Sequence, residues 1–426
     1  MINMKKYDVC VVGLGYIGLP TALLFAKSGK KVLGYDVSAD TVKEVRNGEK
    51  GKNEPNLNEL LKECIQNGGL TADTTPGYAD LYIIAVPTPF KNERQPDMSY
   101  VQKAFESVLP YITEGSAVVL ESTSPVGSTV KYICEPLKEK GFMPGRDVFV
   151  AYSPERVLPG NILHELIHNN RILGGVSEES CRIIKDYYKL FVEGDIELTD
   201  ANTAEMCKLT ENAYRDVNIA FANEMAKMCQ AAGINAWEVQ KLCNKHPRVN
   251  ILSPGPGVGG HCIAVDPWFL VSQFSDQTHM ISTGRMINDS MPDFAVEQIM
   301  GILGDTDRKI SVLGITYKPD VDDVRESPVL KIAEILNQKG YRVAIHDPLV
   351  ARGRFSNADL EECLKDSDML LLGVNHKAFL NLDLAFVYSL MRSKIIFDTR
   401  NFINKEKAEQ AGFEYYLLGC GYQKTN

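Results

Sequence analysis

The stretch Val9-Cys-Val-Val-Gly-Leu-Gly-Tyr-Ile-Gly18 limits the possible folds more than any other part of this chain. A short apolar, β-branched run enters Gly-x-Gly-x-x-Gly, Leu19 to Ser28 continues as a helix ending at Gly29, and Lys31-Val-Leu-Gly-Tyr-Asp36 reads as a second strand closed by an acid. In such a unit Gly13 makes the turn, Gly15 admits a pyrophosphate to the helix N-terminus, and Gly18 lets helix and strand pack closely. Asp36, eighteen residues past Gly18, is placed to accept both ribose hydroxyls and to repel a 2′-phosphate, which predicts NAD rather than NADP. The uncharged run from Val9 to Ala26 behind Lys5 and Lys6 could pass for a signal peptide or membrane span. Its three glycines and Pro20, with Asp8 before it and no small-residue cleavage site, favour a buried strand turning into a helix.

The rhythm continues. Asp80-Leu-Tyr-Ile-Ile-Ala-Val86 runs into Pro87-Thr88-Pro89, Ala117 to Thr123 runs into Pro125-Val-Gly127, and Val148 to Tyr152 leads into Ser153-Pro-Glu-Arg156. Ligands of an open parallel sheet sit at the carboxyl ends of its strands, so Thr88, Ser122, Thr123 and Glu155 point toward one crevice. Each alone reads better as strand-end capping or turn formation, and it is their shared position at strand ends that points to a ligand. From Thr203 to Ala232 there is no Gly or Pro, and Met206, Leu209, Ala213, Val217, Ala220 and Phe221 recur at helical steps. This predicts one long amphipathic helix serving as domain spacer and dimer seam, with Lys208 and Asn212 on a shared face.

The run Ser253-Pro-Gly-Pro-Gly-Val-Gly-Gly-His-Cys-Ile-Ala-Val-Asp-Pro-Trp268 cannot form a helix or central strand in its first half. Its glycines let something approach the backbone closely, and Cys262 ends the loop four residues before Asp266. A thiol so presented suits a covalent nucleophile activated by nearby amides, against the plainer reading of a small buried hydrophobe. The ten cysteines are scattered with no CxxC pair, which reads as reduced thiols in a cytoplasm and no metal site. A net charge of −9 argues against a broad nucleic-acid surface.

After helical segments reaching Gly304, the opening pattern returns: Lys309 to Lys318 as strand and turn, Ser327 to Gln338 as helix, Tyr341 to Asp347 as strand and acid, then Met369 to Val374 and Lys394 to Arg400. This second unit lacks the full glycine fingerprint, so a different phosphate-bearing ligand is expected, with Lys318 and Arg400 supplying charge. The expected class is α/β, with two doubly wound Rossmann-like domains joined by a long central helix and facing one another, Cys262 between them. The expected boundaries are 1–198, 199–304 and 305–426, each length enough for its own core.

Together Gly13-Leu-Gly-Tyr-Ile-Gly18, Val86-Pro-Thr-Pro89, Glu121-Ser-Thr123, Ser153-Pro-Glu155, Lys208-Leu-Thr-Glu-Asn212, Gly259-Gly-His-Cys262 through Asp266, and Tyr317-Lys-Pro-Asp320 with Asp323 to Ser327 resemble the UDP-glucose/GDP-mannose dehydrogenase family over nearly the whole chain. The resemblance implies NAD-dependent, four-electron oxidation of a nucleotide sugar at C6, through a thiohemiacetal and thioester on Cys262. It implies Lys208, Asn212, Asp266, Glu155 and Thr123 around the reacting oxygen and water. It implies cofactor contacts at Gly13, Gly15, Tyr16, Ile17, Gly18, Asp36, Pro87, Thr88, Thr123 and Arg325. Sugar-nucleotide contacts are implied at Glu155, Arg156, Lys208, Asn212, Arg248, Gly259, His261, Lys318 and Arg400, with Arg248 reaching across a homodimer or higher homo-oligomer. His261 and Val265 stand where UDP-glucose enzymes typically carry serine and lysine, and His246 to Phe269 is most similar to members acting on UDP-N-acetyl-D-mannosamine. UDP-N-acetylglucosamine or -galactosamine is the alternative sugar. The alternative chemistries are two-electron oxidation without a thioester, or a non-catalytic NAD- or nucleotide-sugar-binding protein. Neither nucleic acid nor membrane is an expected partner, and a role in surface polysaccharide synthesis follows from the same resemblance.

Overall fold

The computed structural model describes residues 6–49, 54, 56–91, 94–157 and 160–421. They divide into two compact units, Met1–Glu211 with Trp268–Gln273, and Asn212–Pro267 with Phe274–Asn426.

The first unit carries eight strands: β1 (Tyr7–Val12), β2 (Val32–Tyr35), β3 (Leu70–Asp73), β4 (Ala79–Ile84), β5 (Ala117–Leu120), β6 (Phe149–Tyr152), β7 (Arg171–Gly175) and β8 (Ile196–Asp200). Their order is β3-β2-β1-β4-β5-β6-β7-β8, and β6 and β7 run antiparallel while the other neighbours are parallel. Parallel strands are covered on both faces, which is why they read as unbroken apolar runs. Val9, Val11, Leu81, Ile83 and Val119 enter one core with helix Gly18–Lys27 and helix Leu57–Gln66; Cys10, Val12, Tyr82, Ile84 and Val118 enter another with helix Ser99–Val108. The chain reverses its winding between β1 and β4, and this is where an open α/β sheet leaves a crevice. Strands β3, β7 and β8 were not among the expected ones: the first is four residues long, the second opens on Arg171, and the third alternates with Glu197.

The second unit holds β9 (Lys309–Leu313), β10 (Arg342–His346), β11 (Met369–Leu372), β12 (Ile395–Asp398) and β13 (Glu414–Leu417), all parallel in the order β10-β9-β11-β12-β13. Helix Pro328–Gln338 follows β9, its first turn capped by the Ser327 side chain, and Pro328 at the first helical position needs no amide partner. Helix Met291–Leu303 stops at Gly304, whose φ of 72° suits glycine.

One helix, Ala201–Ala232, runs from the first unit into the second. The expected apolar stripe is corrected at Phe221, which is 53% exposed. The stripe that faces inward carries Leu209, Ala213 and Ala220 beside Glu205, Lys208, Asn212, Asp216 and Asn223, all buried. Five buried polar groups on one helix face are costly unless hydrogen-bonded, and the partners they find define the candidate site.

Candidate active site

In the first unit the glycine fingerprint does two separate jobs. A Cβ on Gly13 would lie 2.6 Å from the Ala85 carbonyl oxygen, and one on Gly18 would lie 1.9 Å from that of Gly13, so both are fixed by packing. A Cβ on Gly15 would meet nothing within 4 Å, so its backbone borders open space at the start of helix Gly18–Lys27. Unmade amide bonds at that terminus suit a pyrophosphate. Half-buried Asp36 accepts the amides of Leu14 and Ser38, each at 2.9 Å, and keeps lone pairs for a ribose. These residues fit a dinucleotide. Exposed Tyr16 donates from its hydroxyl to Glu54 at 2.9 Å, Ile17 precedes the helix, and Pro87 and Thr88 follow β4.

Thr123 stands half-buried past β5, on a loop fastened from beneath. Glu205 accepts the amides of Gly127 (2.6 Å) and Thr129 (2.8 Å) and the Thr129 hydroxyl (2.7 Å), while Gln273 both donates to and accepts from Val126. Glu155 follows β6. Burial pushes its carboxyl up, opposed by Lys208 and the Val157 amide, then reinforced by Glu121 and opposed by Arg171. Lys208, buried on the long helix, donates its ammonium to the Glu155 backbone carbonyl. Arg156 is engaged with Glu211 at 2.9 Å and with the Asn170 carbonyl.

Sequence reasoning missed the support behind this set. Glu121 and Arg171 form a buried pair at 3.3 Å, Tyr188 donates to Glu121 at 2.6 Å and stacks under the Arg171 guanidinium, and Arg171 donates to Ser153 at 3.0 Å. The readable signal was a glutamate at the end of an apolar strand.

In the second unit Asp266 opens helix Asp266–Gln273 and Cys262 sits one turn before it, its carbonyl accepting the amides of Val265 (3.0 Å) and Asp266 (2.8 Å). The thiol is therefore carried at a helix N-terminus, where backbone dipoles favour negative charge. Asn212 donates to the buried Asp266 carboxylate at 2.6 Å.

The glycine-rich loop spends its missing side chains on protein rather than on ligand. A Cβ on Gly259 would lie 2.4 Å from the Glu326 carbonyl oxygen, one on Gly260 would lie 2.8 Å from the Tyr317 ring, and one on Gly255 would lie 2.6 Å from the Arg400 guanidinium. Arg325, expected at a cofactor phosphate, is exposed, bonded to Asp323, and accepts the Gly260 amide on its carbonyl at 3.0 Å. Asp323 is raised by burial and lowered further by Arg325, with a net fall. Tyr317 is pushed to about 12 by burial, with Asp323 and Cys262 adding to it. Exposed His261 lies within electrostatic reach of Asp323.

Arg400 follows β12, its amide held by Asp398 at 2.7 Å and its Nε donating to the Gly373 carbonyl at 3.2 Å. Burial pulls it to about 10 against the pull of Asp398, and among the described residues its guanidinium forms no salt bridge. A desolvated cation at a strand's carboxyl end is a place for an anion. Lys318 is half-buried on the turn after β9, and Arg248 is exposed on the loop after helix Ala236–Cys243. The structure thus brings Lys208 to Glu155 in the first unit, and Cys262, Asn212 and Asp266 together in the second. No group of three or more His, Cys, Asp or Glu among the described residues could hold a metal ion, and none of their helices is long and apolar enough to cross a membrane.

Residues 7–192 match the NAD binding domain of the UDP-glucose/GDP-mannose dehydrogenase family, residues 202–290 its central domain, and residues 311–405 its UDP binding domain. The chain is 45% identical over 419 residues to the UDP-N-acetyl-D-mannosamine dehydrogenase of Methanocaldococcus jannaschii, covering 97% of this chain and 96% of that one. Among solved structures, a UDP-D-ManNAc dehydrogenase from Pyrococcus horikoshii matches with a TM-score of 0.91 at 39% identity, covering 98% of this chain and 100% of that one. The UDP-N-acetyl-mannosamine dehydrogenase Cap5O from Staphylococcus aureus matches with a TM-score of 0.88 at 44% identity, covering 98% and 99%.

Proposed function

The chain belongs to the UDP-glucose/GDP-mannose dehydrogenase family, and from that membership we propose that it oxidises the C6 hydroxyl of UDP-N-acetyl-D-mannosamine to the carboxylate, consuming two NAD. The sugar is taken from relatives so named that match along nearly their whole length. The observation that carries the chemistry is the Asn212–Asp266 bond at the first turn of the helix that Cys262 precedes.

NAD, which Gly15 and Asp36 of the first unit would hold, would supply the hydride acceptor, one NAD for each of the two oxidations. The Cys262 sulfur adds to the C6 aldehyde, forming a C–S bond, and after the second oxidation the same bond is a thioester that water cleaves, returning the thiol and releasing the acid. Lys208 stabilises the oxyanion at each tetrahedral stage. Asp266, held in one rotamer by Asn212, orients and deprotonates the hydrolytic water, while Glu155 and Thr123 assist proton movement. Burial pushes the Glu155 carboxyl up, which suits a group that takes part in proton transfer. Arg400 and Lys318 take the uridine diphosphate, with Gly259, His261 and Arg156 nearer the sugar and Arg325 at a cofactor phosphate.

The protein works as a homodimer or higher homo-oligomer, with Arg248 serving the partner's substrate. Tyr214, Phe221 and Met228, seven residues apart on the long helix, are 65%, 53% and 58% exposed, an apolar row that a second copy covers. Regions 1–198, 199–304 and 305–426 act as cofactor, central and nucleotide-sugar domains. All ten cysteines are free, which fits a cytoplasmic enzyme supplying acidic sugars for surface polysaccharide.

Incubation with NAD and a panel of UDP-hexoses and UDP-N-acetylhexosamines tests the reading. Two NADH and a carboxylate from UDP-N-acetyl-D-mannosamine are expected, and Cys262→Ser abolishes acid formation while NAD binding persists. One NADH with an accumulating aldehyde, or equal turnover by Cys262→Ser, rejects it.

A further inference from the structure

The long helix holds the nucleophile loop at both ends. Asn212 bonds Asp266, and Asn223 accepts the Gly255 amide on its side-chain oxygen at 2.9 Å. The two asparagines are eleven residues apart on the helix, and so are Gly255 and Asp266 on the loop, in the opposite direction. Eleven residues are about three helical turns, so both asparagines emerge on one face. The loop between carries Cys262.

Asn223 is itself fixed from behind. Its amide donates to Asn288 at 2.8 Å, and Asn288 donates to the Asp216 carboxylate at 2.8 Å and to the Asp216 backbone carbonyl at 3.0 Å. Arg285 completes the row with a 2.5 Å ion pair to Asp216 and a second contact to Asp289. Asp216 and Asn223 are fully buried, and Arg285 and Asn288 are 1% exposed. An apolar isostere of such a network is often no less stable. The end of this row is a backbone amide of the loop that carries the thiol.

We infer that Asn223, braced by Asn288 and the Asp216–Arg285 pair, is a positioning residue that sets the path of residues 255–266 and so the place of the Cys262 sulfur. This rests on the cysteine chemistry proposed above. Removing the bond frees the loop's first end while Asn212 still holds the second, so the thiol's placement suffers more than substrate binding.

Two variants separate positioning from simple stabilisation. Asn223→Ala removes the acceptor for the Gly255 amide; Asn223→Asp keeps an oxygen there but introduces a buried carboxyl close to Asp216. Positioning predicts that kcat falls between about tenfold and a hundredfold for Ala and less for Asp, with KM for NAD and for the UDP-sugar within about twofold. A stabilising role alone predicts the reverse order, since a buried charge is more damaging than a lost neutral bond. Hydrogen exchange of the unmodified protein is a third arm that needs no variant. The Gly255 amide should be as protected as the core of helix Ala201–Ala232, and exchange at the rate of exposed loops overturns the inference. If alkylating Cys262 leaves the unmodified enzyme active, the cysteine reading fails; if alkylation inactivates it but Asn223→Ala keeps full kcat, only the positioning role fails.

Discussion

The two Rossmann-like units begin with the same turn and put it to different use. Gly13 donates its amide to the Tyr35 carbonyl at 2.8 Å, and Gly314 donates to the His346 carbonyl at 2.8 Å. The next residue, Leu14 or Ile315, donates to the acid at the end of the second strand, Asp36 at 2.9 Å or Asp347 at 2.7 Å. Each acid also accepts the amide two residues on, Ser38 or Leu349, at 2.9 Å. There the likeness stops: Asp36 is half-buried, whereas Asp347 is 2% exposed and also binds the His376 ring. The Asp320 amide points at Nδ1 of His376, so Nδ1 accepts and Nε2 carries the proton toward Asp347 and Thr316. The second unit has filled with protein the place where the first keeps room for a ribose. Where the first reads Gly-Leu-Gly-Tyr-Ile-Gly, the second reads Gly-Ile-Thr-Tyr-Lys-Pro. In the proposed reading, a phosphate site built from bare backbone gives way to one that uses side chains, Lys318 and Arg400. One framework thus yields two nucleotide sites according to whether the acid after the second strand is left open or closed.

The largest effect expected from this contrast is on stability. Asp347→Ala leaves the buried Ile315 amide and a buried imidazole N–H unpaired, with the Leu349 amide beside them, and should cost about 3 kcal/mol, measured by urea unfolding. Asp36→Ala, at the matching position, should cost less than about 1 kcal/mol, and equal losses would break the comparison. Second, Asp36→Ala should weaken NAD binding by about tenfold to a hundredfold, or roughly 1.4–2.8 kcal/mol, and narrow the preference over NADP, as read by titration calorimetry; Asp347→Ala that remains folded should not. Third, Arg400→Gln should raise KM for the UDP-sugar by about tenfold, the size of one charge-assisted bond, and leave KM for NAD unchanged.

The smallest effect is a pH dependence. Burial alone would raise Asp347, but the bonds from His376, Ile315 and Leu349 outweigh it and hold its carboxyl below the usual range. A depressed carboxyl contributes stability that is complete above its unfolded value of about 4 and is lost as pH falls through the folded value. Asp347→Asn should therefore flatten the acid limb of the stability profile below about pH 4, and an unaltered limb would show that the closed acid contributes nothing.

Much of this was legible before any coordinates. The apolar runs gave β1, β2, β4, β5 and β6 of the first sheet and β9 to β12 of the second, because parallel strands buried on two faces leave an unmistakable pattern; the four-residue edge strands β3 and β13 are too short to show it. Strands β7 and β8 escaped because Arg171 and Glu197 interrupt that pattern, and Arg171 is there to reach Glu121 and Ser153 rather than to fill a core. Cys262 and Asp266 stood out by spacing on a glycine-rich loop, whereas Lys208 and Asn212, which by offset alone read as a pair on one helix face, were singled out by the family resemblance. The glycines of 255–260 were legible as close approach, but what approaches, Tyr317, Glu326 and Arg400, is distant in sequence. Glu205, Asp216 and Asn223 were invisible for the same reason: on a helix pattern they read as polar surface, and only their partners reveal them as interior.

The central claim, that one thiol of the second unit carries the sugar between its two oxidations, is tested most directly in an Asp266→Asn enzyme, where hydrolysis of the thioester should stall. After acid quench with UDP-N-acetyl-D-mannosamine and NAD, mass analysis should find the acylated sugar nucleotide on the peptide containing Cys262. Complete oxidation of the substrate with that peptide unmodified would contradict the account.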